Sequence, residues 1–420
     1  MKFITEYLIS LKSKEGRSIL TNFLSLSSLQ FVGMILPLVI LPYMIRVVGY
    51  SNYGTIMLSV SLVTYFQSIT DFSFRITGTR DTVMFKKNPI KLNIIFSRIL
   101  IIKSIFLILS ILIGTLLILL YPPFYEERKV YFLSLSMLIG YTLFPEWFFH
   151  GIEKMKYVAI LNIVVKILIT IAVFLFISAE EDYWIYPLLQ SIGLLIVGFL
   201  GQLLLIRKYK IRFLFIKWKS ILHTIKGNFP VFINQFSPNL YNNTSTFLLG
   251  IISSTEIVGI YSAIKKIIDL AVTLLSIISR VLFPYLNRKR KAFGRYKSFM
   301  VLVTSVFIIG IIITHDIIFW FLEINNPQML LILIVLALGL IGVSVYDVFG
   351  LNYYIIRRKD KLVMTNTIRA SLIGLVLAFP LIYYFGILGA AINLTIARWM
   401  MGGGLALKYM EDQILYQKKS

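Results

Sequence analysis

The sequence predicts an all-α polytopic membrane protein, with about twelve transmembrane helices in two six-helix lobes and both termini cytoplasmic. Three observations carry this expectation. Of the 420 residues, 58% are hydrophobic and only 15% charged, against about 25% charged in a soluble globular chain. The mean hydropathy is +0.83. Apolar runs as long as the roughly 20 residues that a spanning helix needs recur from end to end, and cationic residues gather on every second connection between them.

The first run, 18–45, follows a mixed, mildly amphipathic stretch from Lys2 to Arg17. It is too long for a signal-peptide core and has no small-residue cleavage site, so it reads as a span. Further runs fall at 52–74, 92–120, 130–150, 156–178 and 183–206, and then at 228–252, 258–286, 298–322, 328–355, 361–384 and 387–409. Those much longer than a bilayer crossing require tilted or bent helices. Pro37 and Pro42 in the first run, and Pro230 and Pro238 in the seventh, are the expected bends. Tyr43, Tyr183, Trp184, Tyr186, Trp218, Trp320, Tyr353 and Tyr354 fall near run ends, as an interfacial aromatic belt requires.

Lys and Arg outnumber Asp and Glu by 42 to 19. On alternate connections the cations divide 31 to 3, the smaller set being Arg46, Arg128 and Lys129. The rich side is cytoplasmic. The basic loops therefore need no nucleic-acid partner. So few residues lie outside the apolar runs that a soluble catalytic domain is excluded. With no Cys there are no disulfides or thiolate ligands, and the three His residues (His150, His223, His315) stand singly, so neither a catalytic residue nor a metal site is expected. The outward loops are too short for a polysaccharide polymerase or ligase.

The two halves resemble each other at an offset of about 205 residues. Gly54 opens a helix with Arg75 following 21 residues later, and Gly259 opens one with Arg280 following 21 later. Thr21-Asn22-Phe23 matches Gly227-Asn228-Phe229, Glu146 matches Asp347, and Asn162 with Lys166 is echoed by Asn366 with Arg369. Six spans per repeat start both on the same side, a parallel repeat of the kind found in transporters that rock to alternate access. The expected domains are 1–206, a basic cytoplasmic linker 207–227, and 228–420.

Eight cations fall inside predicted spans: Arg98, Lys103, Lys166, Lys265, Lys266, Arg280, Arg369 and Arg398. Each costs about 2.5–3.5 kcal/mol at mid-helix, so each should face a partner or a wet cavity. The carboxylates there are Asp71, Glu146, Asp269 and Asp347. A net-cationic central cavity suits an anionic cargo. Arg98, Arg280 and Arg369 lie near cytoplasmic ends, where snorkelling to the interface is an alternative. Lys265 and Asp269 are four apart on one face, so an internal salt bridge competes with a cargo role. Lys166 and Arg398 have no carboxylate three or four residues away and are the foremost cargo candidates. Asp71, Glu146 and Asp347 have pairing with Arg75, Arg98 or a loop lysine as the simpler reading. Asp269, nearest mid-membrane, is the first candidate for H⁺ or Na⁺ coupling.

The stretch Leu36-Pro37, Leu41-Pro42-Tyr43-Met44-Ile45-Arg46-Val47-Val48-Gly49 and Asn52-Tyr53-Gly54 resembles the opening pattern of Wzx-type polysaccharide flippases. So do Ile69-Thr70-Asp71-Phe72-Ser73-Phe74 leading to Thr79-Arg80, and Pro145-Glu146-Trp147-Phe148-Phe149-His150-Gly151-Ile152-Glu153-Lys154-Met155. Ser73 departs from the pattern, which commonly has glycine there. The family belongs to the multidrug/oligosaccharidyl-lipid/polysaccharide exporter superfamily, and the likeness covers essentially the whole chain. It implies a bacterial inner-membrane flippase that moves an undecaprenyl-pyrophosphate-linked oligosaccharide to the outer leaflet for O-antigen or capsule synthesis. The lipid bilayer and the polymerase and chain-length machinery would be its partners. No cofactor is implied beyond a coupling ion. A multidrug antiporter of the same superfamily is the rival, and would favour an acidic, aromatic cavity. Lipid II flippases have extra helices, which twelve spans argue against.

Overall fold

Backbone groups inside a bilayer have no water to bond to, so apolar runs of this length fold as helices. In the computed structural model, which describes the backbone of residues 14–417 and the side chains of 31–415, every element is helical. The expectations for Lys2–Arg17 and for the side chains of Thr21-Asn22-Phe23 lie wholly or largely outside these residues. Nine stretches among the described residues are long and apolar enough to cross a membrane.

The longest helices contain breaks. Helix α1 (Lys14–Asp71) leaves helical geometry at Gly49, with φ +76°, a value glycine adopts without penalty. This interruption of helical geometry lies beyond Pro37 and Pro42, the bends expected from the sequence. Then follow α2 (Phe74–Phe85), α3 (Pro89–Leu120), the short α4 (Pro122–Glu126), α5 (Arg128–Leu143), α6 (Glu146–Gly151), α7 (Met155–Phe176) and α8 (Ile185–Tyr209). Next come α9 (Trp218–Asn242), α10 (Thr244–Ile252), α11 (Thr255–Arg288), α12 (Phe293–Ile313), α13 (His315–Leu322) and α14 (Met329–Val345). A π-helical segment (Tyr346–Ile355) prolongs α14, and α15 (Asp360–Gln417) breaks at Gly386, φ +53°. The predicted run 228–252 is not among the nine stretches, because α9 interleaves its apolar residues with Asn228, Asn234, Gln235, Ser237 and Asn239.

Large apolar side chains stay exposed along these helices, among them Leu175, Ile313 and Val376, each at least 70% accessible. A soluble protein rarely tolerates so much apolar surface. Lipid covers it here. The chain is a multi-pass membrane protein. At one interface Lys129 lies over the Trp184 ring, 3.1 Å from its centroid, and the Tyr183 hydroxyl donates to Glu127 at 2.7 Å.

By contacts the chain forms two compact units, one of 1–40 with 65–232 and the other of 41–64 with 233–420. In the first, α5 lies along α8, and α2 and α6 pack together. Phe72, Phe74, Phe96, Trp147, Phe148 and Phe149 form its aromatic core. Asn88 caps α3 by accepting from the Lys91 amide at 3.0 Å, with Pro89 at the first helical position. Between α1 and α2 the chain turns through left-handed geometry at Phe72 (φ +42°) and Ser73 (φ +62°). A Cβ in this conformation costs about 1 kcal/mol, which glycine at position 73 would avoid. The Ser73 hydroxyl is also buried without a partner. Ser73→Gly is therefore expected to stabilise the protein by about 1 kcal/mol, read as a higher melting midpoint in detergent; an unchanged or lower midpoint would contradict the strain assigned to this turn.

In the second unit α14 packs along α15, and α11 against α14. Residues 41–64 join this unit through a crossing with α11. A Cβ built on Gly54 would collide with the Thr255 carbonyl, and one on Gly259 with the Tyr50 carbonyl. Tyr50 and Thr255, like Gly54 and Gly259, are 205 residues apart, so the contact is self-complementary under the offset of the sequence repeat. Beside it the Ser51 and Thr255 hydroxyls are 2.9 Å apart, Arg46 pairs with Glu323 at 2.7 Å, and the Tyr50 hydroxyl donates to the Leu322 carbonyl.

Candidate functional site

The cations singled out in the sequence fall into distinct environments. In the first unit Lys103, on α3, is only 4% exposed. Its amine donates to the Tyr141 carbonyl at 3.1 Å and lies 3.5 Å from the Asp71 carboxylate. Asp71 thus pairs with Lys103, not with Arg75, Arg98 or a loop lysine: α3 carries Lys103 past the end of α1, a cross-helix contact that spacing along one helix does not reveal. Arg98 lies 3.7 Å from Asp81, which favours a structural role for it. Glu146 sits in the first turn of α6, after the break at Phe144-Pro145, and bonds His150 one turn on at 3.2 Å. Four-residue spacing stacks these two side chains on one face, and the charges of Arg75, an expected partner, and of Lys103 also act on Glu146.

Lys166, midway along α7, differs from these. It is half-buried and makes no ion pair among the described residues. Its amine lies 2.9 Å from where a Cβ on Gly33 would stand, so the absence of a side chain at Gly33 makes room for it. An unneutralised ammonium within an apolar helix is the arrangement that calls for an anion or a water-filled space.

In the second unit the cations converge on one carboxylate. Asp269 Oδ2 accepts from Lys265 Nζ at 2.7 Å, and its Oδ1 from Arg398 Nη2 at 3.0 Å. Arg398 is 3% exposed. Its backbone passes so close to Gly342 that a Cβ at Gly342 would strike it, which fixes the guanidinium against α11. Spacing along its own helix gives Arg398 no carboxylate, yet one stands opposite it on α11, 129 residues away in the chain. Its other arm, Nη1, is buried with no acceptor. Lys266 and Arg280 are exposed. Arg369 lines a separate basic pocket near the start of α15.

Asp347 lies in the π-helical segment, the geometry that recurs at functional sites. It is 6% exposed, makes no ion pair among the described residues, and its Oδ2 has no hydrogen-bond partner. Next to it is a network that the sequence reading missed. Asn352 Nδ2 donates to Ser279 Oγ and Tyr296 Oη, both at 2.7 Å, and to the Asp347 carbonyl at 3.1 Å. A lone Asn within an apolar run is the only signal that could have pointed there. Among the described residues no three His, Asp or Glu gather as metal ligands.

Comparison with known proteins decides the family. Residues 19–290 match the model of the polysaccharide biosynthesis protein family. The chain belongs to that family. It is also 24% identical over 390 residues to the protein described as "Putative O-antigen transporter" from Escherichia coli (strain K12), covering 90% of this chain and 93% of that one. A protein of the same description from Shigella dysenteriae is 24% identical over 386 residues, 89% of this chain and 95% of that one. Among solved structures, the lipid II flippase MurJ in an inward closed conformation superposes with a TM-score of 0.74 at 15% identity, covering 93% of this chain and 87% of that one. An inward-facing MATE family multidrug resistance transporter of the MOP superfamily follows at 0.61 and 13%, covering 95% and 100%. The likeness to Wzx-type flippases read from the sequence holds at the level of the family, and the chain is not an enzyme: these relatives are transporters and flippases.

Proposed function

We propose that this protein is a flippase for lipid-linked oligosaccharide, moving undecaprenyl-pyrophosphate-linked repeat units from the cytoplasmic to the outer leaflet of a bacterial inner membrane for O-antigen or capsule synthesis. The observation that carries the reading is Lys166, a cation with no ion-pair partner among the described residues, in an apolar helix of a polysaccharide biosynthesis protein. We read the helical runs as twelve spans, divided at Gly49 and Gly386 and with α9–α10 counted as the seventh. We take the lobes as 1–206 and 228–420, joined by the basic linker 207–227, a division by chain order that differs from the compact units in placing 41–64 with the first lobe, and both termini on the cation-rich side. Lys166 and Arg398 each contact the pyrophosphate during transport by alternating access. Lys166→Glu is expected to abolish transport while leaving the protein inserted and folded, measured as loss of surface polysaccharide in cells that depend on this chain. Lys166→Arg should retain transport. Normal transport by Lys166→Glu would remove Lys166 from the path, and cation-drug efflux by the wild type would favour the multidrug reading.

For ion coupling, Asp71, Glu146 and Asp269 already have partners, whereas one Asp347 oxygen has none. We propose that Asp347 carries the coupling ion, with Arg280, Tyr296 and Tyr346 as the titratable groups around it. Asp347→Asn is expected to make flipping in vesicles independent of the imposed ion gradient, and a gradient dependence equal to wild type would refute the assignment.

A further inference from the structure

Near the start of α15 a pocket of about 580 Å³ opens between the two arms of that helix. Lys361, Thr365 and Arg369 follow at four-residue intervals and so line one face of the first arm. Gly404 and Lys408 face them from the second. The arms are held together by Asn366, whose Nδ2 donates to the Met401 carbonyl at 2.7 Å. Gly404 keeps the space open, since a Cβ there would collide with the Asn366 amide.

Four cations border the pocket, and they are not equivalent. Lys359 lies 3.3 Å from Asp412, and Lys408 lies 3.0 Å from Glu411 and 3.5 Å from Asp412. Those two are neutralised. Lys361 and Arg369 make no ion pair among the described residues, and both are exposed. They stand eight residues apart, about 12 Å along the helix, at the end of a membrane-crossing stretch. Leu362 and Leu405 give the same pocket an apolar wall. Two uncompensated cations beside apolar surface at a helix end match a phosphate with an acyl chain attached.

We propose that this pocket binds the phosphate headgroup of an anionic lipid, through Lys361 and Arg369. The assignment requires only that the chain spans a bilayer and does not depend on the cargo proposed above. Two lipids share the chemistry: a bulk phospholipid such as phosphatidylglycerol, and a polyprenyl pyrophosphate.

The test is native mass spectrometry of the full chain titrated with phosphatidylglycerol, phosphatidylethanolamine and undecaprenyl pyrophosphate. Wild type should retain phosphatidylglycerol in preference to phosphatidylethanolamine. Each cation near a membrane surface is worth roughly a factor of five, so Lys361→Gln with Arg369→Gln should weaken retention about thirty-fold. Lys361→Arg with Arg369→Lys, which keeps both charges, should restore it and shows that any loss is not misfolding. Displacement of phosphatidylglycerol by undecaprenyl pyrophosphate would assign the pocket to the polyprenyl lipid, and resistance to displacement would assign it to the phospholipid. Unchanged retention in the glutamine pair would overturn the proposal, as would an equal loss in Arg290→Gln with Lys291→Gln, two cations of a different loop.

Discussion

Replacing Asp269 by alanine is expected to destabilise the protein by about 3 kcal/mol and to stop transport. The substitution leaves Lys265 and the buried Arg398 facing each other without the carboxylate that now binds both. Breaking a buried pair by removing one partner typically costs about 3–5 kcal/mol. The lower end applies because the Asp269 side chain is 36% exposed and solvent screens part of the loss. Asp269→Asn should lose nearly as much, since it keeps the shape and removes the charge. The informative variant is Asp269→Leu combined with Arg398→Met and Lys265→Met, which removes all three members of the cluster. Replacing a whole charge cluster by apolar groups is often neutral or stabilising, so thermal stability in detergent should return toward wild type. If transport stays absent when stability returns, the triad acts on the cargo; if both return, it is structural. A single variant with wild-type stability would contradict the geometry described for Arg398.

The second large effect is expected at the crossing of residues 50–54 with α11. The backbones meet there because neither Gly54 nor Gly259 has a side chain. Under the alternating access proposed above, contacts of this kind separate during each cycle. The chain contains no cysteine, so a disulfide can be introduced without background. Ser51→Cys with Thr255→Cys places sulfurs where hydroxyls now stand 2.9 Å apart, close to disulfide reach. Oxidation should stop transport, and a reductant should restore it. Full transport by the quantitatively oxidised protein would show that the crossing never opens. Gly54→Ala should lower stability by about 1–3 kcal/mol, because the helices must move apart to admit the methyl group.

The helices were largely legible in the sequence, because apolar run length and Gly/Pro punctuation are local properties. The predicted runs 92–120, 156–178 and 183–206 agree with α3, α7 and α8 to within a few residues. The match of Gly54 to Gly259 was legible as a repeat. That the two glycines would touch was not, since a repeat in sequence carries no distance. The ion pairs divide in the same way. Lys265 with Asp269 lies on one helix face and could be read from spacing, whereas Arg398 with Asp269 and Lys103 with Asp71 join separate helices and leave no periodic trace. Bends were expected at prolines; the departures from helical geometry within the two longest helices are at Gly49 and Gly386, whose positive φ no proline rule anticipates. Asn352, in the π-helical segment that also holds Asp347, pairs with Ser279 and Tyr296 across helices, contacts that no window of sequence contains.

The most direct test is the sidedness of the lipid-linked oligosaccharide in membrane vesicles from cells with and without this protein, read with a membrane-impermeant label that oxidises sugars. The account predicts that, without the protein, the oligosaccharide stays on the cytoplasmic leaflet and that restoring the protein moves it to the outer one. An unchanged distribution, in a strain with no second flippase, would contradict it.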